Sequence, residues 1–143
     1  MKKSTILIIV AVFLISVFVV GIFGMQNVPY NEIIYVEKIV PTSVTLSNGA
    51  ESPQIKTSKD NSYYYIVVPY VQNIVVIINY DVLPNDATNR KLDVEVTNIN
   101  ANSKGSVLEN GAILLEDKGV VKVTYRAQDS ASGAYMVFYI YTK

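Results

Sequence analysis

An all-β sandwich of about seven strands, preceded by one N-terminal transmembrane helix, is the fold class the sequence predicts. Three observations predict it. An uncharged apolar run fills Ile6 to Phe23. Beyond it the pattern turns from continuous to alternating, and helical spacing of apolar residues between helix caps is absent. β-Branched residues and tyrosine, of which the chain has 11, dominate the remainder. Asn, Asp, Gly and Pro punctuate them, as in a chain of many short strands.

The apolar run is long enough to be an anchor. Eighteen helical residues rise roughly 27 Å, close to the ~30 Å hydrocarbon core. In lipid, a helix satisfies its own backbone polar groups. Lys2 and Lys3 precede the run, and the next charge is Glu32. Positive charge stays inside, so the N-terminus is expected in the cytoplasm and the remainder outside a cell membrane crossed once. A cleaved signal peptide is the alternative. Such peptides have apolar cores of about 7–15 residues and a small-x-small cleavage site. This run is longer, and Ile22-Phe23-Gly24 is a poor site. Tyr30 and Tyr35 suit the headgroup level, although Tyr35 suits a strand equally.

Strands follow in order. Glu32 to Val40 and Thr42 to Leu46 read as a first strand broken at Pro41, with a turn at Ser47-Asn48-Gly49. Residues 51–62 are polar and read as loop. Tyr63 to Val68 is a strand stopped by Pro69, and Ile74 to Val82 is the most apolar and hence central one. Leu83 to Asn89 is a loop, because Pro84 cannot donate to a ladder and Asn and Asp favour turns. Leu92, Val94 and Val96 alternate with polar residues as a half-buried strand. Asn98 to Gly105 is a loop. Asn110-Gly111 reads as a tight hairpin turn supplying positive φ angles between Val107-Leu108 and Ile113–Leu115. Asp117-Lys118-Gly119 turns the chain into Val121, Val123 and Tyr125, which alternate with Lys122, Thr124 and Arg126. Ala127 to Gly133 is a loop, and Ala134 to Tyr141 is the last strand.

Four stretches together resemble a known family. Val40-Pro41-Thr42-Ser43-Val44-Thr45-Leu46-Ser47 is similar to the first strand of bacterial Ig-like domains of group 2, found in intimin- and invasin-type surface proteins. Tyr80 to Lys91, with its Pro84, Ala87 and Thr88, resembles that family's loop. Asn110-Gly111 resembles its turn, and Gly119 to Tyr125 its following strand. Order and spacing fit over residues 40–142. Two features depart from the pattern: the chain has no tryptophan, where the family has one near Val94, and the segment between residues 47 and 74 is long. The resemblance implies an Ig-like sandwich with a structural or adhesive role and no catalytic residues. The expected organisation is a cytoplasmic N-terminus at 1–5, a signal anchor at 6–25, a linker and lead-in strand at 26–39, and an Ig-like domain at 40–143.

Composition removes several functions. The chain has no cysteine, so disulfides, thiolate metal sites, cysteine nucleophiles and a lipoprotein anchor are excluded. It has no histidine, which removes the Ser-His-Asp arrangement and the commonest metal ligand. Beyond Lys2 and Lys3 the chain carries 10 basic and 12 acidic residues, the basic ones scattered, so no nucleic-acid partner is expected. Asp81, Asp86, Asp93, Glu95, Glu116 and Asp117 lack calcium-loop spacing and read as turn formers and solvated charges, even with Asn85 and Asn89 nearby. No cofactor or metal is expected.

The candidate binding surface is aromatic. Met136, Phe138 and Ile140 share one face of the last strand, and Tyr135, Val137, Tyr139 and Tyr141 share the other. If that strand pairs with Val121–Tyr125, and the latter with Leu92–Val96, then Tyr135, Tyr139, Tyr141, Lys122 and Arg126 lie on one outer face. Tyrosine is enriched in interfaces, but rings also pack on Lys and Arg stems. Tyr63-Tyr64-Tyr65 either extends this surface or covers an edge. The function expected is a non-enzymatic, membrane-anchored cell-surface module for binding or spacing, its partner a protein or an envelope glycan. The alternatives are an accessory subunit of a membrane-embedded complex and an exported hydrolase.

Overall fold

A computed structural model of the chain describes residues 2–26, 31–129, 131 and 133–143. Tyr30, suggested above for the headgroup level, lies outside the described residues, as do Ser130 and Ser132 of the loop expected at 127–133. The chain forms two compact units, residues 1–32 and 33–143.

The first unit contains helix α1, Lys3–Gln26. Its 24 residues rise roughly 36 Å. Within it Lys3–Val20 has a mean hydropathy of 2.7 and none of that window is buried. By length and composition this helix can cross a membrane. Ser16 donates its hydroxyl to the carbonyl of Val12, 2.8 Å away, so one of its few polar groups is satisfied within the helix itself.

Among the described residues the second unit has nine strands: β1 (Lys38–Leu46), β2 (Lys56–Thr57), β3 (Tyr64–Val68), β4 (Ile74–Leu83), β5 (Leu92–Asn98), β6 (Gly105–Val107), β7 (Ile113–Leu115), β8 (Val120–Ala127) and β9 (Tyr135–Thr142). One sheet has the order β1-β4-β7-β6 and the other β2-β3-β9-β8-β5. Every pairing is antiparallel except that of β3 with β9. The inner faces of both sheets contribute to one apolar core. Val44, Val76, Ile78 and Leu115 come from the first sheet and Ile66, Val121, Val123, Tyr125, Phe138 and Ile140 from the second. On β8 and β9 alternation is complete: Val121, Val123 and Tyr125 are buried, as are Met136, Phe138 and Ile140.

Several elements differ from the sequence expectation. The first strand is not broken at Pro41. It runs through, and a bulge between Pro41 and Ser43 leaves Thr42 without a partner. The proline is tolerated because β1 is an edge strand. Residues 31–37 are not a strand but are tied down by hydrogen bonds. Ile34 donates its N–H to the Thr88 hydroxyl (2.8 Å), Thr88 donates its own to the Ile34 carbonyl (2.8 Å), and Val36 donates to Oδ2 of Asp129 (2.6 Å).

The polar segment 51–62 is not all loop. It contains β2, which pairs with β3, so the nine strands exceed the seven expected. Asn110-Gly111 is not a two-residue turn. Leu108 donates its N–H to the Ala112 carbonyl and Gly111 donates to Leu108. Only Gly111 has positive φ, 80°, while Asn110 Oδ1 accepts from the Ala112 N–H. This is a three-residue loop, the next commonest hairpin connection.

Gly105 of β6 sits tight against Val121 of β8. A Cβ there would stand 2.8 and 2.9 Å from the Val121 methyls. Two outcomes are expected. Gly105→Ala should cost about 1–3 kcal/mol by overpacking, measured by chemical denaturation of the detergent-solubilised chain. Val123→Asp should abolish the near-ultraviolet tyrosine signal of the folded domain, because Val123 is fully buried and an unpaired carboxylate there is not tolerated.

Candidate functional site

The side of the five-stranded sheet that turns away from the core carries the candidate site. Alternation puts it there. In the parallel β3–β9 pair, Ile66 opposes Ile140 and both are buried, so Tyr65 and its partner Tyr139 point the other way. Tyr64, opposite Phe138, packs against the core. The tyrosine run at 63–65 is therefore divided, two rings outward and one inward.

Four rings meet on this outer face. Tyr63 and Tyr139 are 4.9 Å apart edge-on, Tyr65 and Tyr141 5.9 Å apart edge-on. Tyr63–Tyr65 and Tyr139–Tyr141, each 6.3 Å, close the quadrilateral. Edge-on and tilted arrangements set positive ring edges against negative faces. Partial burial, then the neighbouring phenols of Tyr63, Tyr139 and Tyr65, push the Tyr141 phenol above its ordinary value. Each of the four rings carries a hydroxyl that can both donate and accept. Among the described residues none of the four donates or accepts a hydrogen bond within the chain.

The β2–β3 hairpin loop borders the quartet. Ser58 is buried, and its hydroxyl donates to Oδ1 of Asp60 at 2.6 Å while accepting from the N–H groups of Ser62 (3.0 Å) and Tyr63 (3.2 Å). Asp60 Oδ1 also accepts from the Ser62 hydroxyl (2.8 Å) and N–H (3.3 Å). Hydrogen bonds from Ser58, then from Ser62, lower the Asp60 carboxyl to about 2, so it is ionised at any ordinary pH. Asn61, with φ of 57°, supplies the left-handed residue that closes the loop. Thr57, Ser58, Lys59, Asp60, Tyr63, Tyr65 and Tyr141 enclose a recess of about 410 Å³.

The five residues singled out from the sequence fall into two groups. Tyr139 and Tyr141 join the quartet. Lys122, Arg126 and Tyr135 line a separate recess of about 220 Å³ with Glu95, Thr97, Thr124 and Val137. Tyr135, 61% exposed, opposes Arg126 across the strands, and Lys122 opposes Tyr139. Among the described residues, rings of the quartet meet one another, and a lysine approaches a ring at Tyr70, with Lys118 5.7 Å from its centroid. Tyr63, Tyr65 and the Ser58–Asp60 loop were not among the five. Their signal was the tyrosine run at 63–65, but its place beside β9 depends on a parallel pairing across about seventy residues. Among the described residues no three acidic side chains gather into a metal-binding group.

Compared with known proteins, the chain matches no family model and no curated protein.

Two measurements check this geometry. Tyr139→Ser with Tyr141→Ser removes three of the four ring contacts and should cost about 1–3 kcal/mol in thermal or urea unfolding. The Asp60 carboxyl, followed by carbon NMR, should titrate at about 2 and move back toward 3.8 in Ser58→Ala. Its folded value lies below its unfolded one, so its contribution to stability is present above about pH 4 and is lost as pH falls toward 2.

Proposed function

We propose that the chain is a non-enzymatic, membrane-anchored cell-surface module, with α1 retained as a signal anchor and an Ig-like sandwich held outside. Its outer tyrosine face is the recognition surface. The observation that carries this reading is the quartet Tyr63, Tyr65, Tyr139 and Tyr141, four large side chains placed outside a core that Met136, Phe138 and Ile140 already fill. Tyrosine supplies rigid amphipathic contact area at low entropic cost, which is why binding surfaces use it.

The Ig-like reading is supported by strand order. An Ig domain of constant type has one sheet A-B-E-D and another C-F-G. Here β1-β4-β7-β6 corresponds to the first and β5-β8-β9 to the second, each in the right sequence order. The long segment between residues 47 and 74 supplies β2 and β3, which add to the second sheet alongside β9. The resemblance to group 2 domains agrees with this order. An exported position is supported by Lys2 and Lys3 before the apolar helix.

Intact mass of protein extracted from membranes should include residues 1–25. A soluble form beginning near Met25 would overturn the anchor. For the recognition face, the full chain should associate with isolated envelope material, and Tyr139→Ser with Tyr141→Ser should lose that association at temperatures where circular dichroism shows the variant folded. Ile77→Ser, on the four-stranded sheet, should keep it. Equal association of both variants would remove the tyrosine face as the site.

A further inference from the structure

We infer that the recess between the β2–β3 hairpin loop and the tyrosine quartet binds an uncharged, hydroxyl-rich sugar chain. This rests on the recognition-face reading above and adds the chemical class of the ligand.

The recess, about 410 Å³, is of a size that accepts a small ligand. Its lining joins three kinds of group. Tyr63, Tyr65 and Tyr141 contribute ring surface, and Tyr65 and Tyr141 stand at 85° to form a corner. The phenol hydroxyls, with Thr57, are donors. Asp60 is a fixed acceptor: its Oδ1 is engaged by Ser58 and Ser62, and its Oδ2 makes no hydrogen bond among the described residues. Lys59 completes the lining, with no ion pair among the described residues.

Charge selects among ligands. A cation would be drawn to the rings and to Asp60 but repelled by Lys59. An anion would meet Lys59 but also a carboxylate that stays ionised down to about pH 2. The two formal charges in the lining cancel. A wholly apolar ligand would strip water from phenol hydroxyls that have no partner in the chain, at a cost for each. A sugar ring avoids all three penalties. Its C–H face lies on the aromatic rings, its hydroxyls accept from the phenols, and they donate to Asp60. The ligand is held by an apolar face and a few placed polar groups, the usual division of labour in a small-molecule site.

The test uses the full chain in lipid nanodiscs, passed over immobilised neutral tetrasaccharides: maltotetraose, cellotetraose, mannotetraose and chitotetraose. The cationic de-acetylated form of the last and a sulfated tetrasaccharide complete the panel. At least one neutral sugar should be retained above empty nanodiscs, and more tightly than either charged one. Tyr65→Ala should weaken retention about tenfold or more, the size of a central aromatic contact. Tyr65→Phe keeps the ring and its packing and loses only the hydroxyl, so a smaller loss in a folded protein separates binding from stability. Ile77→Ser should bind as the parent does. Retention of none of the neutral sugars, tighter retention of a charged one, or neutral retention indifferent to Tyr65→Ala overturns the inference. If the sugars fail while Tyr139→Ser with Tyr141→Ser still loses envelope association, only the ligand class falls. If both fail, the recognition face falls with it.

Discussion

The rows Met136, Phe138, Ile140 on β9 and Val121, Val123, Tyr125 on β8 lie directly across from one another, Phe138 against Val123 and Ile140 against Val121. None of the six is more than 3% exposed. A strand alternates its side chains between two faces, so burying this double row forces Tyr139, Tyr141, Lys122 and Thr124 to the opposite face. Slipping the register by one residue would bring tyrosines and a lysine into the core and send three of its largest apolar groups to water. The same condition extends to β3, where Ile66 lies across from Ile140. The placement of the tyrosine quartet is thus a consequence of how the core is filled.

The sheet edges are each modified in a way that limits pairing with other chains. In the four-stranded sheet, β1 carries Pro41 and a bulge, and β6 is only three residues long. In the five-stranded sheet, β2 has two residues, both exposed, and β5 presents Asp93 and Glu95. Short strands, prolines, bulges and charges are the usual protections of open edges. The β2–β3 hairpin has a second consequence. It adds a strand beyond β9, so that Tyr139 and Tyr141 lie within the sheet and have rings on both strands to lean on. Without β3 those tyrosines would stand along an open edge.

The two recesses on this outer face differ in what holds them. The smaller, around Tyr135, lies over strand residues only, with two cations and one carboxylate. The larger has a wall made by a hairpin loop, and that loop is organised by a buried serine hydroxyl that makes contacts with Asp60, Ser62 and Tyr63. A loop with its own hydrogen-bond network has fewer conformations to lose when a ligand arrives, which favours binding. The Asp60 carboxylate is held by the same network, so charge and shape in the recess share one cause.

Local pattern was enough to read the alternating strands, the division of β9 into an apolar inner row and a tyrosine outer row, and the apolar N-terminal helix. These depend on spacing within a few residues, which a chain displays directly. The loops expected at 83–89 and 98–105 were legible except at their ends, since proline and asparagine act locally, whereas Leu83, Asn98 and Gly105 are drawn into strands by pairing. The course of the chain through Pro41 was not legible, because whether a proline breaks a strand depends on whether that strand is at an edge. Nor was β2, since Lys56 and Thr57 are polar and become a strand only through pairing with Tyr65 and Tyr64. The quartet was half visible. Tyr139 and Tyr141 face outward by alternation alone, but Tyr63 and Tyr65 reach them through a parallel pairing of strands distant in the chain. Parallel strands share no turn, so no local signal marks their partner or register; only the shared core, with Ile66 beside Ile140, decides it.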